Sequence, residues 1–164
     1  MAPAPHPPLV VVQALFAALA ARGQVVLGGS ALLYALGLTG TVRDWDLVTD
    51  VPADQVAEVL AARGLPAVLR SGDSPQFATA ALFQVDAGDH DIDVLVDFAI
   101  RSGGEAVPIP PRAWRSWNQM MLAAPQDWER AYRLMGRVQK AELLRDWLVN
   151  GDGPTSAGDG QIRA

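Results

Sequence analysis

The 164-residue chain has no cysteine, one lysine, two histidines and two tyrosines. Without thiols it forms no disulfides and carries no Cys-ligated zinc or iron–sulfur centre. Charge is also sparse. Only 19% of the residues are charged, and 13 basic against 18 acidic side chains leave a formal net charge of −5. That balance disfavours nucleic acid as a partner held through phosphate contacts alone, although a local contact with a nucleotide is compatible with it. Long hydrophobic runs are absent as well. The apolar stretch from Leu9 to Ala21 is interrupted by Gln13 and is too short to span a bilayer. The leader "MAPAPHPP" has no Lys or Arg and does not read as a secretory signal. The expectation is therefore a cytoplasmic protein with no membrane partner.

What is present suits one globular domain, because half of the residues are apolar. Residues 1–8 read as a flexible proline-rich leader, 9–110 as the core, 111–150 as C-terminal helices packed on that core, and 151–164 as a flexible tail. Within the core, Leu9–Arg22 reads as a helix stopped by Gly23. Gln24–Leu27 follows as a short buried strand, Ser30–Leu36 as a helix, and Asp44–Thr49 as a second strand. Asp50 is a candidate cap for the next helix, whose inner face carries Val56, Val59 and Leu60. Gln76–Asp86 and Asp91–Ile100 are β-rich runs joined by the hairpin signal "AGDH". The fold class is α/β (α+β): a small mixed β-sheet flanked by helices, with a C-terminal helical segment broken near Pro125.

Two clusters carry chemistry. Alternation along a strand puts Asp44 and Asp46 on one face, with Trp45 and Leu47 on the other. In "DHDIDVLVDF", Asp91, Asp93 and Asp97 share one parity and Ile92, Val94, Val96 and Phe98 the other. Either set alone reads as a solvated strand edge. If the two strands pair, the carboxylates converge, and converging carboxylates repel unless a divalent cation neutralises them. An all-oxygen ligand set suits Mg²⁺, with Mn²⁺ an alternative, rather than zinc. A calcium loop at Asp89-His-Asp91-Ile-Asp93 fails, because Val94 stands where the turn needs glycine and Ile100 where a bidentate Glu belongs. Ahead of the first cluster, Gly28-Gly29-Ser30 separates a buried strand from a helix. Such a turn lets backbone N–H groups approach an anion, yet it is neither a P-loop nor a dinucleotide fingerprint.

Together these residues resemble a family. Gly28-Gly29-Ser30, then Asp44-Trp45-Asp46-Leu47, then Asp93 on a later strand, are similar to the signature of the nucleotidyltransferase superfamily with the DNA polymerase β catalytic fold. The resemblance covers about Val25 to Ile100. It implies that residues 9–110 are a catalytic core in which Gly29 and Ser30, with Gly28, hold the phosphates of a nucleoside triphosphate. It implies that Asp44 and Asp46 ligate two magnesium ions, and that Asp93 completes one site and helps to deprotonate an acceptor hydroxyl; Asp91 has the same parity and is its substitute. The implied reaction moves a nucleoside monophosphate onto a hydroxyl of a small molecule or protein and releases pyrophosphate. The stretch "DWDLVTDVPADQVAEVL" also looks like tRNA CCA-adding enzymes, but those carry Arg-Asp after the glycine turn, where this chain reads "SALLYALG". The size fits small bacterial nucleotidyltransferases better.

Charge is divided unevenly: residues 44–105 hold twelve acidic and three basic side chains, and 112–146 hold four acidic and seven basic. If the tail is one helix, Arg130, Arg133, Arg137 and Lys140 fall on one stripe beside an apolar stripe of Ala131, Leu134, Val138 and Ala141. Arg137 and Lys140 are then candidate nucleotide-binding residues; the alternative is stems that lie along the core edge. Trp114, Trp117, Trp128 and Trp147 read as core or interface, and the tryptophan-rich tail leaves room for a homodimer. The alternative to an enzyme is a catalytically weak nucleotide-binding or antitoxin-like interaction module on the same fold.

Overall fold

The computed structural model describes residues 4–151. The elements run α1 (Val10–Ala20), β1 (Val25–Gly28), α2 (Ser30–Ala35), β2 (Trp45–Thr49), α3 (Ala53–Ala62), β3 (Ala67–Arg70), β4 (Ala81–Asp86), β5 (Asp91–Val96), β6 (Ala99–Ser102), β7 (Glu105–Pro108), β8 (Ala113–Trp117), β9 (Met120–Ala123), α4 (Pro125–Leu134) and α5 (Val138–Val149). Seven strands form one mixed sheet in the order β3-β4-β5-β2-β1-β9-β8, and β6 and β7 form a separate hairpin. β2 lies antiparallel to β1 and parallel to β5, so the two aspartate-bearing strands are neighbours. Among the described residues no helix is long and apolar enough to cross a membrane.

The α/β class and the mixed sheet agree with the sequence pattern. The core follows from the same alternation: Trp45 and Leu47 on β2, and Ile92, Val94 and Val96 on β5, are buried on the face away from the aspartates. On that buried side α1 contributes Val12, Leu15, Phe16 and Leu19, and α3 contributes Val56, Val59 and Leu60. At about 25 cal/mol per Å² of apolar surface, one such side chain contributes roughly 1.5–3 kcal/mol on full burial.

Four expectations are corrected. Residues 113–123 are a β-hairpin, not helix, and β9 extends the sheet beside β1; Trp114 and Trp117 suit strands at least as well as helices. The run 91–100 is not one strand. Asp97 has φ 53° and donates its N–H to the Thr49 carbonyl (2.9 Å), which turns the chain out of the sheet and leaves Asp97 exposed, away from the other aspartates. Asp50 does not cap α3; its Oδ1 accepts the N–H of Gln24 at 2.8 Å. Finally, the described part of the leader is docked. Val42 N–H donates to the Pro5 carbonyl (2.8 Å), Trp45 Nε1 to the Pro8 carbonyl (3.3 Å), and His6 packs against Tyr34, Trp45 and Trp117. Beyond Gly151, the expected tail lies outside the described residues.

Candidate active site

Each glycine of the turn is explained by a side chain that needs its space. A Cβ on Gly28 would stand 2.5 Å from the indole of Trp128, and a Cβ on Gly29 would collide with Oδ2 of Asp46. Gly29 also has φ 64° and ψ −145°, a region in effect restricted to glycine. The turn therefore brings α2 up against the Asp46 carboxylate. Ser30 is left at the cavity wall beside Gly29, whereas Gly28 lies behind Trp128 and is not part of that wall.

The β2–β5 register places Asp46 directly opposite Asp93, and the β1–β2 register places Gly28 opposite Asp46. One cross-strand row thus reads Gly28, Asp46, Asp93, Gln84. Asp44 lies one row away, where its Oδ1 accepts the Asp91 N–H at 2.9 Å. Asp91 faces Asp86 across the β4–β5 pair and takes Gln84 Nε2 at 3.5 Å. Between the two candidates for the third carboxylate, it is Asp93 that shares the cavity with Asp46.

That cavity has a volume of about 430 Å³ and is open to solvent. Its polar wall contains Ser30, Asp46, Asp93, Arg137 and Lys140, and Trp128, Tyr132 and Phe98 form an aromatic wall. Burial raises the Asp46 carboxyl to about 7, with further push from Asp93 and then Asp44 and an opposing pull from Lys140 and Arg137. Asp93 is raised by burial first, then by Asp44 and Asp91, against the pull of Arg70. Lys140 is lowered by burial and by Arg137, with Asp46 opposing.

The basic stripe does not exist as one helix face. Gly136, at φ 78°, ends α4, and Arg137 starts a second helix. Arg137 and Lys140 turn into the cavity, whereas Arg133 pairs with Glu129 (2.6 Å) and Glu142 (3.2 Å). The apolar stripe is broken by the same turn: Ala131 and Ala141 are buried, but Val138 is 56% exposed.

Missed in the sequence were Tyr132, whose ring lies 5.4 Å from Lys140 Nζ, and the loop 71–79, which supplies Ser71, Ser74, Phe77 and Thr79 to the cavity. "SGDSP" signals a turn, but nothing in it says that the turn folds over this site.

Among the described residues, no three acidic, His or Cys side chains are gathered into a ready-made metal cage. The donor set still fits one class of ion. Mg²⁺ is commonly held by one or two carboxylates, with water and substrate phosphates completing its shell. Two facing carboxylates with raised proton affinity are such a donor set.

No family model and no curated protein matches the sequence. Solved structures do match in fold. A candidate nucleotidyltransferase from Thermotoga maritima superposes with a TM-score of 0.63 at 20% identity, over 87% of this chain and 92% of that one. The antibiotic-resistance factor ANT(2'')-Ia superposes with a TM-score of 0.56 at 14% identity, over 88% of this chain and 85% of that one. The chain has the nucleotidyltransferase fold.

Proposed function

We propose that the protein is a metal-dependent nucleotidyltransferase that moves a nucleoside monophosphate from a nucleoside triphosphate to an acceptor hydroxyl. The observation that carries this reading is the Asp46–Asp93 pair, opposed across parallel strands in a cavity that also holds Ser30, Arg137 and Lys140. The fold likeness supports the general class; the metal, the acceptor and the residue roles are inferred from the site.

In this reading Ser30 donates its hydroxyl to the β- and γ-phosphates, and Arg137 and Lys140 balance their charge. Asp46 and Asp93, with Asp44, would hold Mg²⁺, which when bound supplies Lewis-acid stabilisation of charge at the reacting phosphate. Asp93 takes up the acceptor proton. The acceptor oxygen forms a bond to the α-phosphorus, the bond from that phosphorus to the bridging oxygen breaks, and its electron pair leaves with pyrophosphate. Tyr132 and Trp128 exclude water from the wall behind the carboxylates. Most of the catalytic effect then comes from positioning and electrostatics.

The test is pyrophosphate release and transfer of α-labelled nucleotide, with each of the four triphosphates, Mg²⁺ and an acceptor panel. Asp46→Asn should lower turnover by at least about 100-fold, since several kcal/mol of charge stabilisation is removed. Release no greater than that control with every triphosphate would refute catalysis. Nucleotide binding that is indifferent both to Mg²⁺ and to Asp46→Asn would identify a binding module instead.

A further inference from the structure

The cavity's charged lining residues are Asp46, Asp93, Arg137 and Lys140, and the nucleotidyl-transfer reading uses all of them. An in-line displacement brings the acceptor oxygen in opposite the departing pyrophosphate. With the pyrophosphate end at Ser30, Arg137 and Lys140, the acceptor end lies across the Asp46–Asp93 pair, towards β4. There the next row of the same sheet face is Leu95 opposite Leu82, and it ends at Arg70 on the edge strand β3. Leu82 and Leu95 both line the cavity.

Over this floor arches a short hairpin turn. Asp73 and Ala78 are bridged, Thr79 donates its N–H to the Gly72 carbonyl (3.1 Å), and Gly72 has no room for a Cβ against the Thr79 backbone. Ser71 Oγ accepts the Asp73 N–H at 3.2 Å, and Ser74 Oγ accepts the N–H groups of Gln76 and Phe77 at 3.2 and 3.0 Å. Both serines line the cavity with their hydroxyl protons left to donate. The hairpin's one carboxylate, Asp73, is paired with Arg101. Asp44, Asp91 and Asp86, on the other side of Asp93, are not part of the cavity wall, and one oxygen of each accepts a hydrogen bond, from the Asp91 N–H, Gln84 Nε2 and the Gly88 N–H respectively. Apart from Asp93, the acceptor end offers apolar surface and hydroxyl donors, with the Arg70 cation at its edge. A polycationic acceptor would lose hydration there and meet a single carboxylate, Asp93, which the transfer reaction already uses.

We infer, resting on the nucleotidyl-transfer reading, that the acceptor is an electrically neutral alcohol or phenol carried on an apolar body. Leu82, Leu95 and Phe77 hold the body, Ser71 and Ser74 bond its oxygen substituents, and polycationic amino sugars are excluded. The hydroxyl oxygen bonds to the α-phosphorus, its proton passes to Asp93, and pyrophosphate leaves with the electron pair of the broken bond.

The experiment sets three acceptor groups against the full chain: neutral aryl alcohols and glycosides, neutral peptides with Ser or Tyr between apolar residues, and polycationic amino sugars. Adducts are read by mass spectrometry, and acceptor binding without nucleotide by calorimetry. Binding of Mg²⁺–triphosphate is measured separately, so that failure of the underlying reading shows as lost nucleotide binding whatever the acceptor does. The expected result is saturable binding and adducts for the neutral compounds, the first two groups telling a small molecule from a protein side chain. Ser74→Asp, at an exposed position, should lower neutral-acceptor kcat/KM about tenfold and raise cation binding. Leu82→Asp should act in the same direction. Amino sugars binding or reacting as well as the neutral compounds would overturn the inference, and so would saturable binding by no neutral compound.

Discussion

The space that a side chain on Gly29 would occupy is filled by the carboxylate of Asp46. Helix entry and candidate metal ligand are thus packed into one another, and the positive φ at Gly29 lets them approach. Gly29→Ala should cost about 1–3 kcal/mol in backbone strain alone and also displace Asp46. Thermal denaturation should show a clear fall in Tm, and Mg²⁺–triphosphate affinity should fall with it. Ser30→Ala should weaken nucleotide binding with little change in Tm. Equal Tm values for the two variants would mean that Gly29 is not under this constraint.

The raised carboxyl of Asp46 gives a signed pH dependence. The unfolded chain releases this proton near pH 4, whereas the folded protein holds it to about pH 7. Between those values the folded state binds the extra proton, so stability falls as pH rises, by up to about 1.4 kcal/mol per pH unit. Asp93 shifts in the same direction. Denaturant melts of metal-free protein at several pH values, compared with Asp46→Asn, should show a steeper decline in the wild type. Parallel curves would remove the basis for a crowded, half-buried carboxylate.

Much of the fold and the strand-borne part of the candidate site were legible because strand periodicity is a local signal. Parity alone put Asp44 with Asp46 and Asp91 with Asp93, and the glycine turn fixed where α2 begins. What stayed hidden depends on tertiary placement. Trp114 and Trp117 fit helix or strand equally, and pairing of β9 with β1 decides for strand. One glycine, Gly136, divides the basic stripe and sends Arg137 and Lys140 inward. Residues 76–79 read as the start of a β-run that begins only at Ala81, and nothing local shows that the turn before them folds over the cavity, where Arg101 Nε donates to the Ser74 carbonyl (3.0 Å) and Gln76 Nε2 to the Met135 carbonyl (3.2 Å).

Because no closed acidic cage exists among the described residues, Mg²⁺ should bind weakly to the free protein and much more strongly with a triphosphate present. Calorimetric titration of Mg²⁺ with and without a non-hydrolysable triphosphate tests this coupling. Reciprocity requires that Mg²⁺ strengthen triphosphate binding by the same factor. Asp46→Asn and Asp93→Asn should each abolish most of it. Equal Mg²⁺ affinity in the two states would place the ion elsewhere.

Arg112 and Asp127 join the start of the β8–β9 hairpin to α4. Asp127 is buried, and its two oxygens accept Arg112 Nε at 3.0 Å and Nη2 at 3.2 Å. Arg112 is 62% exposed, which discounts the Coulomb part of the pair. Leaving the buried carboxylate without its partner should still cost about 1–3 kcal/mol. Arg112→Ala and Asp127→Asn should each lower Tm, and the double variant should lose less than the sum. Additive losses would show that the pair is not coupled.

The leader offers a test of packing at a distance from the site. Trp45 lies between the two aspartates in sequence but points to the opposite face, where it is fully buried. There it meets His6 and Trp117 at ring-centre distances of 5.7 and 6.1 Å and donates to the Pro8 carbonyl. Removing residues 1–8 strips one side of this cluster and opens a void beside β2. The expected outcome is a lower Tm and a red-shifted tryptophan emission, since indole rings gain water. Because Trp45 and Asp46 share one strand, the truncation should also weaken metal-dependent nucleotide binding. His6→Ala should reproduce the Tm change in part. If emission and Tm are unchanged by both, the leader is not part of the packed structure.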